Sequence, residues 1–345
     1  MKKLVILTCL SILATLAIAQ TPFSLKKGES CLVYSLPKTE FIIELQTQKT
    51  TQKPGVFYRY SERYLATSKV ITEEKSGYKL ISIAVKPHAI PDNSRTYSVL
   101  PAKKSALNYI SVDKSGILCG INVLCERELE ATKSSTTIAE TTANQQLLPL
   151  GEEYMMAGSE AKLAEGAAKQ IYRIRESRLG LLTADLEKLP TDGASLKSML
   201  EGLDAMEQSL TELFTGKTTT EIQTQILKLT PDVPLNKQVL FRLSALRGVV
   251  ANDDLSGAPC TISLNTIQST DLKTNIANKP TKVGIYTIFP SKAELSIEFG
   301  NKILFSEEYQ LPQFGKLIPL NETMFSNPKL KVKVDRETGR LLNFE

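Results

Sequence analysis

Ser159-Glu160-Ala161-Lys162 sets a hydroxyl and an amine three residues apart, the spacing that puts a nucleophile and its base on adjacent turns of a helix. The same Ser-x-x-Lys spacing recurs at Ser24, Ser35, Ser76, Ser111 and Ser326, so by itself it singles out no serine. The Lys-Thr-Gly element that penicillin-recognising enzymes add is absent, and Gly216-Lys217-Thr218-Thr219 comes nearest. That string also matches the end of a phosphate-binding loop. However, Thr211 stands where the loop needs its first glycine, and a helical pattern precedes it where a strand belongs. The plainer reading is a helix ending at glycine. His88 is the single histidine, and no Gly-x-Ser-x-Gly string accompanies it, which leaves a histidine-dependent triad without a nucleophile.

Glycoside hydrolysis needs two carboxylates facing one bond. The pairs Glu73-Glu74, Glu152-Glu153, Asp253-Asp254 and Glu307-Glu308 are adjacent in sequence. Adjacent residues of a strand point to opposite faces, so a facing dyad would have to be assembled across strands. Tryptophan, the commonest platform for stacking a sugar, is absent, and tyrosine would have to take its place. Tyr172, Arg175 and Arg178 crowd one stretch with Arg173 and Glu176. They form either an anion or partner site, or a row of ion pairs that fixes a helix to its neighbour. Tyr58, Tyr60 and Tyr64 interleave with Arg59 and Arg63 as a ligand face, or pack Tyr60 and Tyr64 into a core at helical spacing.

The elements that must position these residues are of two kinds. From Glu152 to Lys217 the period is helical. Leu196, Leu203 and Leu210 are seven apart, as are Met199, Met206 and Leu213, which makes one apolar seam. Ala164, Ala168, Ile171, Ile174, Leu181, Leu182 and Leu186 offer a matching stripe on the preceding arm. Pro190 ends that arm and Asp192 caps the next, so the reading is a long antiparallel αα-hairpin over 151–217. The outgoing arm, at roughly 50 Å against roughly 30 Å for the return, overhangs and needs a further partner.

On either side the period is two. VYSLPKTEFIIELQTQK alternates around Phe41, Ile43 and Leu45, GYKLISIAVKP continues the pattern, and Pro91-Asp92-Asn93-Ser94 reads as a turn before the strand RTYSVL. Pro54-Gly55 opens a short helix, VFYRYSERYLAT. After Lys217 come TTEIQTQILKLTPDV, QVLFRLSALRGVV, PCTISLNTIQ and KVGIYTIFP as strands. A hairpin follows that turns at Gly300-Asn301, and another turns near Glu337-Thr338-Gly339. The fold class is therefore α+β, in five parts. These are a signal peptide at 1–19, an N-terminal α+β domain at 20–126, a Thr/Ser-rich linker at 127–150, the helical hairpin, and a C-terminal antiparallel β-sandwich-like domain at 218–345.

Met1-Lys2-Lys3, the apolar run Leu4 to Ile18 and Ala17-Ile18-Ala19 before Gln20 have the form of an export signal. The expected address is periplasmic, outer-membrane-associated or extracellular. A lipid anchor on Cys9 has only Leu4 to Leu7 ahead of it, too short an apolar region. No later stretch is apolar over the ~18 residues of a membrane span. With Lys2 and Lys3 removed, the 42 basic residues fall to 40 against 37 acidic ones, a net charge of +3. That balance, with no basic block interleaved with aromatics, argues against a nucleic-acid partner. Four cysteines remain: Cys31, Cys119, Cys125 and Cys260. Cys119 and Cys125 can form a disulfide only if the chain turns between them, because six extended residues span about 20 Å. Buried free thiols are the other reading. No spacing is of zinc type, and no cofactor motif is present.

Several strings are familiar together: YSLPKTEFIIEL at 34–45, PGVFYRYSERYLA at 54–66, IPDNSRTY at 90–97, EEYMMAGSEAKLAEGAAKQIYRIRESRLGLLT at 152–183 and LPQFGKLIPL near the end. The chain resembles an uncharacterised family of exported bacteroidete proteins, a domain of unknown function, over nearly its whole length. The resemblance implies an envelope or secreted location and carries no reaction, ligand or catalytic residue. The function expected is a non-catalytic envelope protein that binds or scaffolds a protein or glycan. The alternatives are a glycan- or peptide-active hydrolase with carboxylates gathered across strands, and a carbohydrate-binding module.

Overall fold

A computed structural model describes residues 32–99, 110–125, 154, 156–183, 192–267, 284–320 and 329–344. The expected signal peptide at 1–19 and the expected linker at 127–150 lie outside the described residues. The fold is mixed, with 23% helix and 54% strand in three antiparallel sheets, so strand pairing dominates.

The spine is β1 (Leu32–Lys53), which pairs along one side with β2 (Lys75–Val99) and along the other with β5 (Lys217–Leu229). A second sheet has the order β10-β9-β8-β6-β7, from β6 (Leu235–Ser244), β7 (Gly248–Val250), β8 (Ala258–Ile267), β9 (Ile285–Phe299) and β10 (Lys302–Leu320). A third, β12-β11-β4-β3, joins β3 (Ile110–Val112) and β4 (Leu118–Ile121) to β11 (Val332–Val334) and β12 (Leu341–Phe344). Hydrogen-bonded pairing thus crosses the segment boundaries drawn at 126 and 217. Phe41 pairs with Leu229, and Ile121 with Val332. Two of the three sheets draw strands from both β-rich segments, while the five-stranded sheet lies wholly within 218–345.

β1 serves two cores by changing phase. Tyr34 and Leu36 are buried among Tyr97, Leu118, Ile121, Tyr286, Ile288 and Val332. Beyond Pro37 the buried set moves to odd positions, Phe41, Ile43 and Leu45, which pack with Phe241, Ile262, Leu264, Leu295 and Ile297 of the second sheet. The cause is a bulge. Ser35 pairs with Thr96 and Pro37 with Pro91, so Leu36 faces four residues of β2, and the alternation flips. Each such side chain stabilises the fold by about 2 kcal/mol.

Three boundaries differ from expectation. Asp92 to Arg95 are not a turn between strands but the bulged part of one long strand, tied off where Asp92 Oδ1 accepts the N–H and hydroxyl of Ser94. β9 runs unbroken through Pro290. Opposite it the register of β10 jumps from Leu311 to Lys316, so the ladder does not call on the N–H that proline lacks. QVLFRLSALRGVV is two strands, β6 and β7, whose turn ends at Gly248 with φ 78°, a conformation that favours glycine.

The described residues also form α1 (Ser61–Leu65), preceded by a 3-10 turn at Tyr58–Tyr60, then α2 (Glu160–Thr183) and α3 (Gly193–Thr215). Asp192 caps α3 by accepting Ser195 N–H at 2.7 Å, which holds its carboxyl below the usual range. Met156 to Ser159 are not helical, so α2 starts later than expected and the described arms, 24 and 23 residues, are nearly equal.

Candidate functional site

The residues singled out for partner binding lie on α2 and reach residues of α3: Arg175 meets Glu207, and Arg178 meets Asp204, three residues back. At the base, Ala164, Ala167 and Ala168 are small enough to admit the rings of Phe57 and Phe214, whose centroids are 5.5 Å apart. Ile171, Ile174 and Leu210 close the cluster. The segment before α1 packs against both helices. Phe57 N–H donates to Leu213 C=O at 2.7 Å, and Gly55 lies so close that a Cβ there would sit 2.3 Å from the same oxygen. Tyr64 donates to Ala161 C=O and Tyr172 to Tyr64 C=O. Tyr60 and Tyr64 pack against this core, as helical spacing indicates.

The distal half differs. Leu179 and Leu182 are 61% and 64% exposed, and Met199 and Met206 of the heptad seam are 48% and 38% exposed. Ser177, Leu181, Met199, Gly202, Leu203 and Met206 line an apolar groove of about 410 Å³. On the opposite flank lies a polar hollow of about 520 Å³, shared by Arg175, Arg178, Asp204, Glu207, Gln208 and Glu212. Arg175 Nε donates to Glu207 Oε1 at 2.7 Å, and Arg178 Nη1 to Asp204 Oδ1 at 2.6 Å. Glu207 Oε2 lies 3.1 Å from Arg178 Nη1. The Arg175 guanidinium also sits over the Tyr172 ring, 5.5 Å from its centroid. Tyr172, Arg175 and Arg178 are therefore together, with both cations engaged by α3. Their acidic partners were missed in the sequence, although Asp204 and Glu207 are three apart on the return arm and so share a flank.

The catalytic alternatives meet local explanations. Ser159 Oγ accepts the backbone N–H of Lys162 at 3.4 Å, as a helix cap does. Gly216, at φ 86°, separates a helix from a strand, the reverse of a phosphate loop. Glu73 pairs with Lys75 and Glu74 with Lys53, Arg247 holds Asp254, and Tyr309 donates to Glu307. Glu152-Glu153 lies outside the described residues. His88 is exposed on β2 beside a hollow of about 110 Å³ that Tyr309 and Glu337 also line. Cys119 and Cys125 are bonded to each other, their Cα atoms 5.4 Å apart, because the chain reverses after β4 at Asn122, whose φ is 54°. Cys260 is a buried free thiol.

Fold and site together define a β-rich mixed protein whose paired helices have a packed base and a half-exposed far end. The chain belongs to the family described as Domain of unknown function (DUF4831), which matches residues 30–342 and so takes in all three sheets and both long helices. No curated protein and no solved structure matches the chain. Among the described residues, no helix is long and apolar enough to cross a membrane.

Proposed function

We propose that this is an exported, non-catalytic protein of the cell envelope that binds or scaffolds a protein partner through the far end of its helix pair. In this reading residues 1–19 direct export, 127–150 link the parts, α2 and α3 are the arms of one αα-hairpin, and the three- and five-stranded sheets form a β-sandwich that carries it. The observation that supports it most is the division of the heptad seam. Leu210 is buried by α2 and the α1 segment, whereas Met199 and Met206, on the same stripe, stay open beside an apolar groove. Methionine is flexible and polarisable, suited to gripping apolar side chains of differing shape. The paired charges on the other flank leave that side less adhesive, so the apolar flank sets the direction of approach.

Co-purification from the native envelope tests this. Tagged wild type should retain a partner that Met199→Glu with Met206→Glu loses, while the variant's melting temperature stays that of wild type. Retention of every partner by the double variant, or a wild type that captures neither envelope proteins nor envelope glycans, would end the proposal.

A further inference from the structure

Strand edges offer unpaired backbone groups to any passing chain, and folded proteins blunt them with proline, bulges, charge or brevity. Among the described residues, five of the six sheet edges combine such devices or are very short. β2 carries Pro87 and Pro91 and two register shifts against β1. β10 carries Pro312, Pro319 and two register shifts against β9. β3 and β7 have three residues each and β12 has four. β5 shows only charge, at Lys217, Glu221 and Lys228, and none in its central run. It is 13 residues long, lacks proline, holds register with β1 from Lys217 to Leu229 without a shift, and is uncharged from Ile222 to Leu227. Ile222 is 66% and Ile226 58% exposed.

The direction of its free groups follows from one contact. Thr47 of β1 donates its hydroxyl to Gln223 C=O at 3.4 Å, so Gln223 turns its backbone polar groups toward β1. Alternation along the strand then points those of Ile222, Thr224 and Ile226 away from β1, and the side chains of the same three residues are exposed. Among the described residues, no element pairs with that outer edge.

We infer that β5 pairs antiparallel with β5 of a second copy, joining two three-stranded sheets into one of six. The strand is complementary to itself about Thr224. With Thr224 opposite its own copy, Ile222 meets Ile226, Thr220 meets Lys228 and Glu221 meets Leu227, so no like charges face each other and four isoleucines cluster on one face. The residues facing across are those whose N–H and C=O point outward, as an antiparallel ladder requires. Because α3 ends one residue before β5, the two helix pairs would leave opposite ends of the joined sheet. This pairing is independent of any partner held by the helices.

Sedimentation of the purified protein should give twice the chain mass, and Ile222→Lys with Ile226→Lys should return it to one chain with an unchanged circular-dichroism spectrum. Thr224→Cys should form a disulfide-linked dimer on mild oxidation, since hydrogen-bonded antiparallel neighbours have Cα atoms about 5.5 Å apart. Gln225→Cys, which would face Gln223 and not itself, should link far less. A wild type that stays a single chain at every concentration reached overturns the inference. So does a dimer that survives the lysine pair, or one that cross-links no better at 224 than at 225.

Discussion

The Tyr34 hydroxyl, buried on β1, accepts the backbone N–H of Tyr286 at 2.7 Å and donates to Gly284 C=O at 3.1 Å. One side chain near the start of the described chain thereby satisfies two backbone groups at the start of β9, in the core where the tyrosine rings of 34, 97 and 286 pack at a tilt to one another.

Tyr34→Phe keeps the ring and removes both hydrogen bonds. Each buried group left unpaired costs about 1 to 3 kcal/mol, so the variant should lose about 3 kcal/mol in urea unfolding. A loss below about 0.5 kcal/mol would mean that other groups replace the hydroxyl.

Alkaline pH should weaken the fold. Burial raises the Tyr34 pKa, outweighing the Tyr286 N–H that favours the phenolate; burial also raises Tyr97, and burial with the Glu307 carboxylate raises Tyr309. Unfolded tyrosine titrates near 10, so above about pH 10 the native state holds protons that the unfolded state has lost. These groups contribute fully below about pH 10, and their contribution falls as pH rises further. The melting temperature should drop between about pH 9 and about pH 11, less steeply in Tyr34→Phe. A flat profile over that interval would contradict the assignment.

The heptad seam should divide in stability as it does in burial. Leu210→Ala, inside the cluster with Phe57 and Ile171, should cost about 2 to 5 kcal/mol, and Phe214→Ala about 3 to 5. Met199→Ala and Met206→Ala, half exposed, should each cost under about 1 kcal/mol. Equal losses at Met206 and Leu210 would show that the far end is covered in solution.

Thiol labelling should leave Cys260 untouched in the native protein, since burial excludes reagent and pushes its thiol up to about 12. Non-reducing peptide mapping should find Cys119 joined to Cys125. Replacing both with serine should cost about 2 kcal/mol, the chain entropy of so short a loop. A peptide that links Cys260 to any other cysteine would refute this.

Much of the local structure was legible because its signals are local. Phe41, Ile43 and Leu45 alternate, the leucines of α3 recur at seven, and Asp192 precedes a helical run. The hairpin turns at Gly300-Asn301 and near Gly339 stand where turn residues separate alternating runs. The arginine cluster was legible as a cluster, but its role was not. Whether Arg175 and Arg178 reach outward or grip Glu207 and Asp204 depends on how the helices are rotated against each other, which no single-helix pattern contains.

Residue order by itself determined which stretches extend and which coil, because hydrophobic period and capping chemistry act over a few neighbours. The tertiary structure decided which strands share a sheet. β1 takes β5 as its second neighbour across more than a hundred intervening residues, the short third sheet joins residues 110–121 to 332–344, and Leu36 flips a face. The reason is that every strand presents the same backbone donors and acceptors. Partner choice is settled only when all the apolar faces are buried at once, a condition on the whole chain and not on any segment of it.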